Sequence, residues 1–194
     1  MIEQTEKFKG SQIIENPLIK NGEIDNKIYP LLKEYGWYSF NGWCFRIHTH
    51  ESSIKWRQIT EEYYPKFIWK FECFWFDWLW RQYAINNENE NEILMFDIST
   101  GEYFIADYNL EGFLYELVMN PDDMVNEDGF VKLKSVLRFT ECFWHKIPLF
   151  LWWKDDETNL EITDMEVDWG INGQIWSTIK DLPEWTKIGK IGIE

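Results

Sequence analysis

Apolar and polar positions along the chain switch between a period of two and a period near 3.6, which predicts short strands mixed with short helices. Residues 1–26 are polar and mixed in charge and read as an N-terminal arm, extended or a short helix lying on the body, ahead of one domain over residues 27–194. IYPLLKEY (Ile28–Tyr35) is amphipathic, and Gly36 is placed to stop it as a helix. In YSF-NG-WCFRI, Asn41-Gly42 separates two apolar runs, and both residue types tolerate the positive φ of a hairpin turn. Trp37–Phe40 and Trp43–His48 are therefore expected to pair. Ser52 is placed to cap a helix running to about Tyr63, with Pro65 at its exit. Aromatic and β-branched residues from Phe67 to Ile85 favour two strands meeting near Asp77. ILMFDI and EYFIAD flank Ser99-Thr100-Gly101 as a second hairpin. Asn109 caps a helix from Leu110 to about Met119, and Phe130–Thr140 reads as another. MEVDWGI, a turn at Asn172-Gly173, and QIWSTI read as a third hairpin. Hairpins without regular βαβ alternation imply an α+β fold, an antiparallel sheet built of hairpins with several helices packed on it.

Composition adds a direction to this fold. Aromatic residues make up 19% of the chain and Trp alone counts 13, too many bulky rings for all to be fully buried. Some are expected at the surface, where binding faces favour them. The net charge is −15, which argues against direct binding to nucleic acid or to anionic membrane and favours a basic partner. The charge is segregated. Residues 1–70 carry ten basic and nine acidic side chains, whereas 71–194 carry nine and twenty-five. From Gln82 to Val131 there are twelve acids and no Lys or Arg, and from Asp155 to Ile179 seven acids and no base. Solubility alone does not require such segregation; a directed acidic surface produces it. The three cysteines, Cys44, Cys73 and Cys142, are odd in number, and two stand in aromatic runs, so they read as reduced, buried thiols. Neither a signal peptide nor a spanning segment is legible, so the expected location is the cytoplasm.

Several stretches then carry a family resemblance. These are the hairpin leading into CFRIHT, FECFWFDWLWRQYAI, FDISTGEYF, and ECFWHKIPLFLWWKDDETNLEITDMEVDWGINGQI, in order over roughly residues 35–180. They resemble the domain found at the C-terminus of type VI secretion DNase-immunity proteins, itself similar to the broader SUKH immunity superfamily. The resemblance implies a SUKH-like α+β domain that binds and silences a cognate toxin, often a nuclease, with no catalytic site of its own. Two departures stand out: Trp152-Trp153 follow PLFL where the family is glycine-rich, and Trp80 stands where a Gly is expected before Arg81-Gln82.

Candidate sites follow from these readings. As a strand, residues 164–169 would put Asp164, Glu166 and Asp168 on one face and Met165, Val167 and Trp169 on the other. With Asp155, Asp156 and Glu157 upstream and Trp153 as an aromatic anchor, they form the candidate partner-binding surface. The bland reading is a solvated strand face. Cys44, Arg46, His48 and His50 with Cys142 and His145 offer thiolate and imidazole groups, yet the spacing is not that of a zinc site and Arg46 would repel a cation. Asp77, Asp97 and Asp107 are carboxylates near strand ends, cheap coincidences among 34 acids. No triad order, P-loop or metalloprotease motif is present. The expectation is a binding protein without enzyme activity, metal or cofactor. A nucleic-acid mimic and a carbohydrate-binding module are the competing readings.

Overall fold

The hairpin signals build one antiparallel sheet with helices on both of its faces. The structure is a computed structural model, and it describes residues 9–12, 28–40, 43–133, 135, 137–183 and 186. Strands β1 (Lys9–Gln12), β2 (Tyr38–Phe40), β3 (Phe45–Ile47), β4 (Phe71–Asp77), β5 (Gln82–Asn86), β6 (Ile93–Asp97) and β7 (Glu102–Ala106) lie in chain order, each antiparallel to the next. Helices α1 (Tyr29–Tyr35), α2 (His50–Tyr63), α3 (Leu110–Met119), α4 (Pro121–Val125), α5 (Glu127–Leu133) and α6 (Met165–Ile179) accompany it. A separate hairpin joins β8 (Glu141–His145) to β9 (Leu160–Asp164). The class is α+β. No helix among the described residues is long and apolar enough to cross a membrane.

The period of two along β5 and β6 divides the interior into two cores. Tyr83, Ile85 and Ile93 face a first core with Leu32 of α1 and with Phe113, Leu114 and Leu117 of α3. Ala84, Leu94 and Phe96 face a second core with Trp56 of α2 and Trp169 of α6. A central strand buried on both faces must be apolar on both, which is why FECFWFD reads as a near-continuous run. Each large side chain fully buried this way contributes about 1.5–3 kcal/mol.

Local signals set most boundaries. Asn109 accepts a hydrogen bond from Gly112 N and caps α3 as expected. Thr49, not Ser52, caps α2; Ser52 is the third helical residue and answers Thr49 in a reciprocal capping box. The strands of the first hairpin pair, while the Asn41-Gly42 turn lies outside the described residues. Most of the 1–26 arm also lies outside them, but Lys9–Gln12 adds a strand beside β2. The helix expected over 130–140 begins earlier: α5 spans Glu127–Leu133, after a left-handed Asn126 that breaks it from α4.

The expected third hairpin is instead helix α6. Met165, Trp169 and Asn172 recur at helical spacing and turn one face inward. Asp164 caps the helix by accepting from Glu166 N, and Glu166 and Asp168 place negative charge in its first turn. Asn172-Gly173 is not a turn. Gly173 sits where α6 crosses Tyr63 of α2, and a Cβ there would come within 2.3 Å of the tyrosine ring.

Candidate protein-docking surface

The loop between β8 and β9 projects a run of exposed side chains on a tightly bonded base. Pro148 leads into a 3-10 turn, Leu149–Leu151, whose entry is tied to the β6–β7 turn. Leu149 N and Phe150 N both donate to Ser99 O, at 3.0 and 3.3 Å. The Phe150 ring packs on Trp176 of α6 with centroids 5.4 Å apart. Trp176 in turn lies over Gly101, whose φ of +70° and missing Cβ are both needed there. At the far end of the loop, buried Asn159 acts as a stitch. Its Nδ2 donates to the carbonyls of Ile147 and Lys154 at 2.9 and 3.0 Å, and its Oδ1 accepts from Ile147 N at 3.0 Å. Asp156 accepts from the backbone and hydroxyl of Thr158, and this bonding holds its carboxyl below the usual range. Buried His145 meets Asp155 at 3.2 Å, while the Asp155 side chain stays 75% exposed.

On this base every residue from Trp152 to Thr158 is exposed. Trp152 is 87% exposed and Trp153 53% exposed. Trp152 also sits in the left-handed backbone region, at φ 61° and ψ 31°. That conformation costs a non-glycine residue roughly 1–2 kcal/mol, and no burial of the ring offsets it. Trp152 closes the 3-10 turn and Trp153 follows it outside any strand, and both rings face solvent. Asp155, Asp156 and Glu157 stand directly beside them. Four of the candidate residues, Trp153, Asp155, Asp156 and Glu157, are thus displayed together, with Trp152 added to them.

The Asp164, Glu166 and Asp168 stripe does not form. In a helix, residues two apart point about 200° from each other, so Glu166 and Asp168 diverge. Glu166 pairs with Lys55 of α2 at the surface. Asp168 is buried, bonded to Asn172 Nδ2, and burial, reinforced by the charge of Asp97, pushes its carboxyl well above the usual range. It cannot meet a partner's cation. Asp164 is committed to its capping bond.

The other candidates are structural. Arg46 is wholly buried and donates to the carbonyls of Arg138, Phe139, Glu141 and Asp77, pinning the chain into β8. Burial lowers its pKa to about 10, and its guanidinium lies 5.2 Å from the Trp80 ring centroid. Nε2 of His48 meets Gln82 Oε1 at 2.8 Å, and burial lowers the His48 pKa to about 3, so the ring stays neutral. The three cysteines are free and buried, and burial pushes their thiols up, away from thiolate chemistry. Cys142 and His145 are three apart on β8 and point to opposite faces. Asp77 accepts from Arg81 Nε at 2.6 Å and from Tyr83 Oη at 3.1 Å, and Asp97 caps its turn through Ser99. Among the described residues no group of three His, Cys, Asp or Glu side chains is arranged to hold a metal ion.

Asn159 and the exposed Phe104 and Ile105 of β7 are not legible as a site in the sequence, whereas Trp152 is legible as one half of the Trp152-Trp153 pair.

No family model matches the chain, and no curated protein matches it significantly. Among solved structures it is similar to the crystal structure of Atu4351 from Agrobacterium tumefaciens, with a TM-score of 0.57 and 12% sequence identity. The likeness covers 90% of this chain and 89% of that one, and at this identity it is a likeness of fold.

Proposed function

We propose that the chain is an immunity protein, one that neutralises a cognate secreted toxin by holding a basic face of it against the β8–β9 loop. The observation that carries this reading is Trp152: a large ring displayed at a backbone position that disfavours it, beside Trp153 and three acids. A strained, solvent-facing aromatic gains nothing in the free protein. It gains when a partner's pocket covers it, since tryptophan is among the residues that most often dominate a protein interface. The neighbouring carboxylates supply attraction to a cationic surface and speed encounter. The family resemblance points to a toxin as the partner, and the exposed aromatic and acidic loop supports a binding role.

The test is co-expression with the protein encoded beside it. Neutralisation of that protein's toxicity, with a complex that survives purification and weakens as salt rises, is the expected result. Equal killing with and without the chain defeats the reading. A nucleic-acid mimic remains a second reading because Glu88, Glu102, Asp107, Glu111, Asp122 and Asp128 are all exposed within the base-free stretch. A mimic would block several unrelated DNA-binding proteins, whereas an immunity protein blocks one.

A further inference from the structure

We infer that β7 is a second docking element, an open sheet edge that takes an extended segment of a protein partner with an apolar centre and a basic residue at either end. Among the described residues β7 pairs with β6 and no strand lies beyond it. An edge strand leaves alternate backbone N–H and C=O groups facing outward, ready to pair with another strand. Native edges are blunted by shortness, by bulges, by inward charges or by a covering helix. The β6–β7 register is unbroken over all five residues, and the two central side chains are the apolar Phe104 and Ile105, both exposed. They lie on opposite faces of the strand, Phe104 opposite Met95 and Ile105 opposite Leu94. A single helix covering one face would therefore leave the other open; a strand added edge-on borders both.

Charge then selects the occupant. Exposed Glu102 opens the strand and exposed Asp107 follows it, about 17 Å apart along an extended chain. No Lys or Arg occurs in the surrounding sequence from Gln82 to Val131. Beyond that stretch, Lys66 Nζ lies 3.5 Å from the Tyr103 ring centroid, over the ring and not beside either acid. A second copy of this chain would bring acid against acid, so edge-to-edge pairing of β7 with itself is disfavoured. A segment with cations at its ends meets both carboxylates, while its middle residues cover Phe104 and Ile105. This mode is strand addition, in which backbone bonds supply affinity and flanking side chains supply selection. It deepens the proposed function and rests on it only for the partner's identity.

The experiment uses the whole chain and a capped peptide, Lys-Val-Thr-Ile-Val-Lys, with two companions. One companion has both lysines replaced by Glu; the other has its central amides N-methylated. Amide hydrogen exchange of Tyr103–Ala106 and a binding titration are read together. The parent peptide should slow exchange in β7 and bind at least tenfold more tightly than either companion. Glu102→Gln with Asp107→Asn should weaken it several-fold at low salt and little at high salt. Equal binding of the N-methylated peptide, or protection outside β7, overturns the proposal. So does a dimer of the chain that buries β7 and excludes the peptide. A neutralised toxin whose binding leaves β7 exchange unchanged removes this docking mode while the immunity reading stands. Peptide protection of β7 without any toxin to neutralise leaves the mode and removes the immunity reading.

Discussion

Trp80 and Trp152 share one backbone conformation and have opposite fates. Trp80 has φ 62° and Trp152 φ 61°, both in the region that favours glycine. Trp80 is fully buried, its ring 4.0 Å from Phe76 and 4.9 Å from Trp56 between centroids, with Arg46 above it. Trp152 is the most exposed of the large apolar residues described. The same local strain is offset inside by packing of the ring, whereas outside the Trp152 ring packs on almost nothing and only its backbone N–H is bonded, to Leu149 O. Carboxylates show the same contrast. Asp168 is buried against Asn172 and pushed toward its neutral form, whereas Asp156 is exposed, bonded to Thr158 and held ionised. The second core commits polar and aromatic groups to stability; the β8–β9 loop displays them.

The largest expected effect comes from the inner member of the pair. Trp80→Gly removes the strain and also the ring, and the cavity cost dominates. A loss of about 3–5 kcal/mol is expected, read as a lower midpoint of chemical denaturation. A neutral result would mean that the second core does not depend on this ring.

Much of this contrast is legible in the residues themselves. Asn109, the Asp77 turn, the β6–β7 hairpin and the α+β class can be read there because capping and turn chemistry are local. The stripe at Asp164, Glu166 and Asp168 misleads because Asn172-Gly173 mimics a hairpin turn. Its glycine serves a close crossing with Tyr63, a tertiary demand that no local pattern reports. Asp155, Asp156, Glu157 and Trp153 stand out from charge and aromatic content alone. Trp152 stands out as its pair, but that both rings are exposed depends on how the 3-10 turn is tied to Ser99, a residue about fifty positions away.

The outer member is tested by binding. Trp152→Ala with Trp153→Ala should weaken the proposed complex with a basic protein partner by about 2–4 kcal/mol, roughly thirtyfold or more. Folding stability should stay within about 0.5 kcal/mol, because neither ring is in the core. Equal affinity for the double variant would leave the loop without its assigned role.

The carboxylates sharpen the comparison through pH. Asp168 has a folded-state pKa raised above the ordinary value of 3.8, so the native state holds its proton longer than the unfolded chain. Its contribution is full at pH values below about 4 and is lost as pH rises toward the folded value. Asp168→Asn keeps an acceptor for Asn172, removes that slope and should raise stability at neutral pH by about 1–3 kcal/mol. His48 has the opposite sign: its pKa falls from 6.5 to about 3 on folding, so stability is lost as pH drops through that window. Urea midpoints between pH 4 and 8 should therefore flatten on the alkaline side in Asp168→Asn alone. Asp156→Asn should leave both limbs unchanged.

The smallest effect is the most discriminating, because it has the opposite sign to the first. Trp152→Gly relieves roughly 1–2 kcal/mol of left-handed strain. It also adds backbone entropy to the unfolded chain, a cost of about 0.5–1 kcal/mol. With so little of the Trp152 ring buried, almost no packing is lost in the exchange. The net expectation is a stability gain of about 0.5–1 kcal/mol, visible as a small rise in denaturation midpoint. The same variant should lose affinity for the partner. A gain in stability joined to a loss of binding marks a residue held against the protein's own folding preference for the sake of an interface. If Trp152→Gly instead destabilises the chain, the ring has a packing role in the free protein. The contrast with Trp80 would then be one of degree.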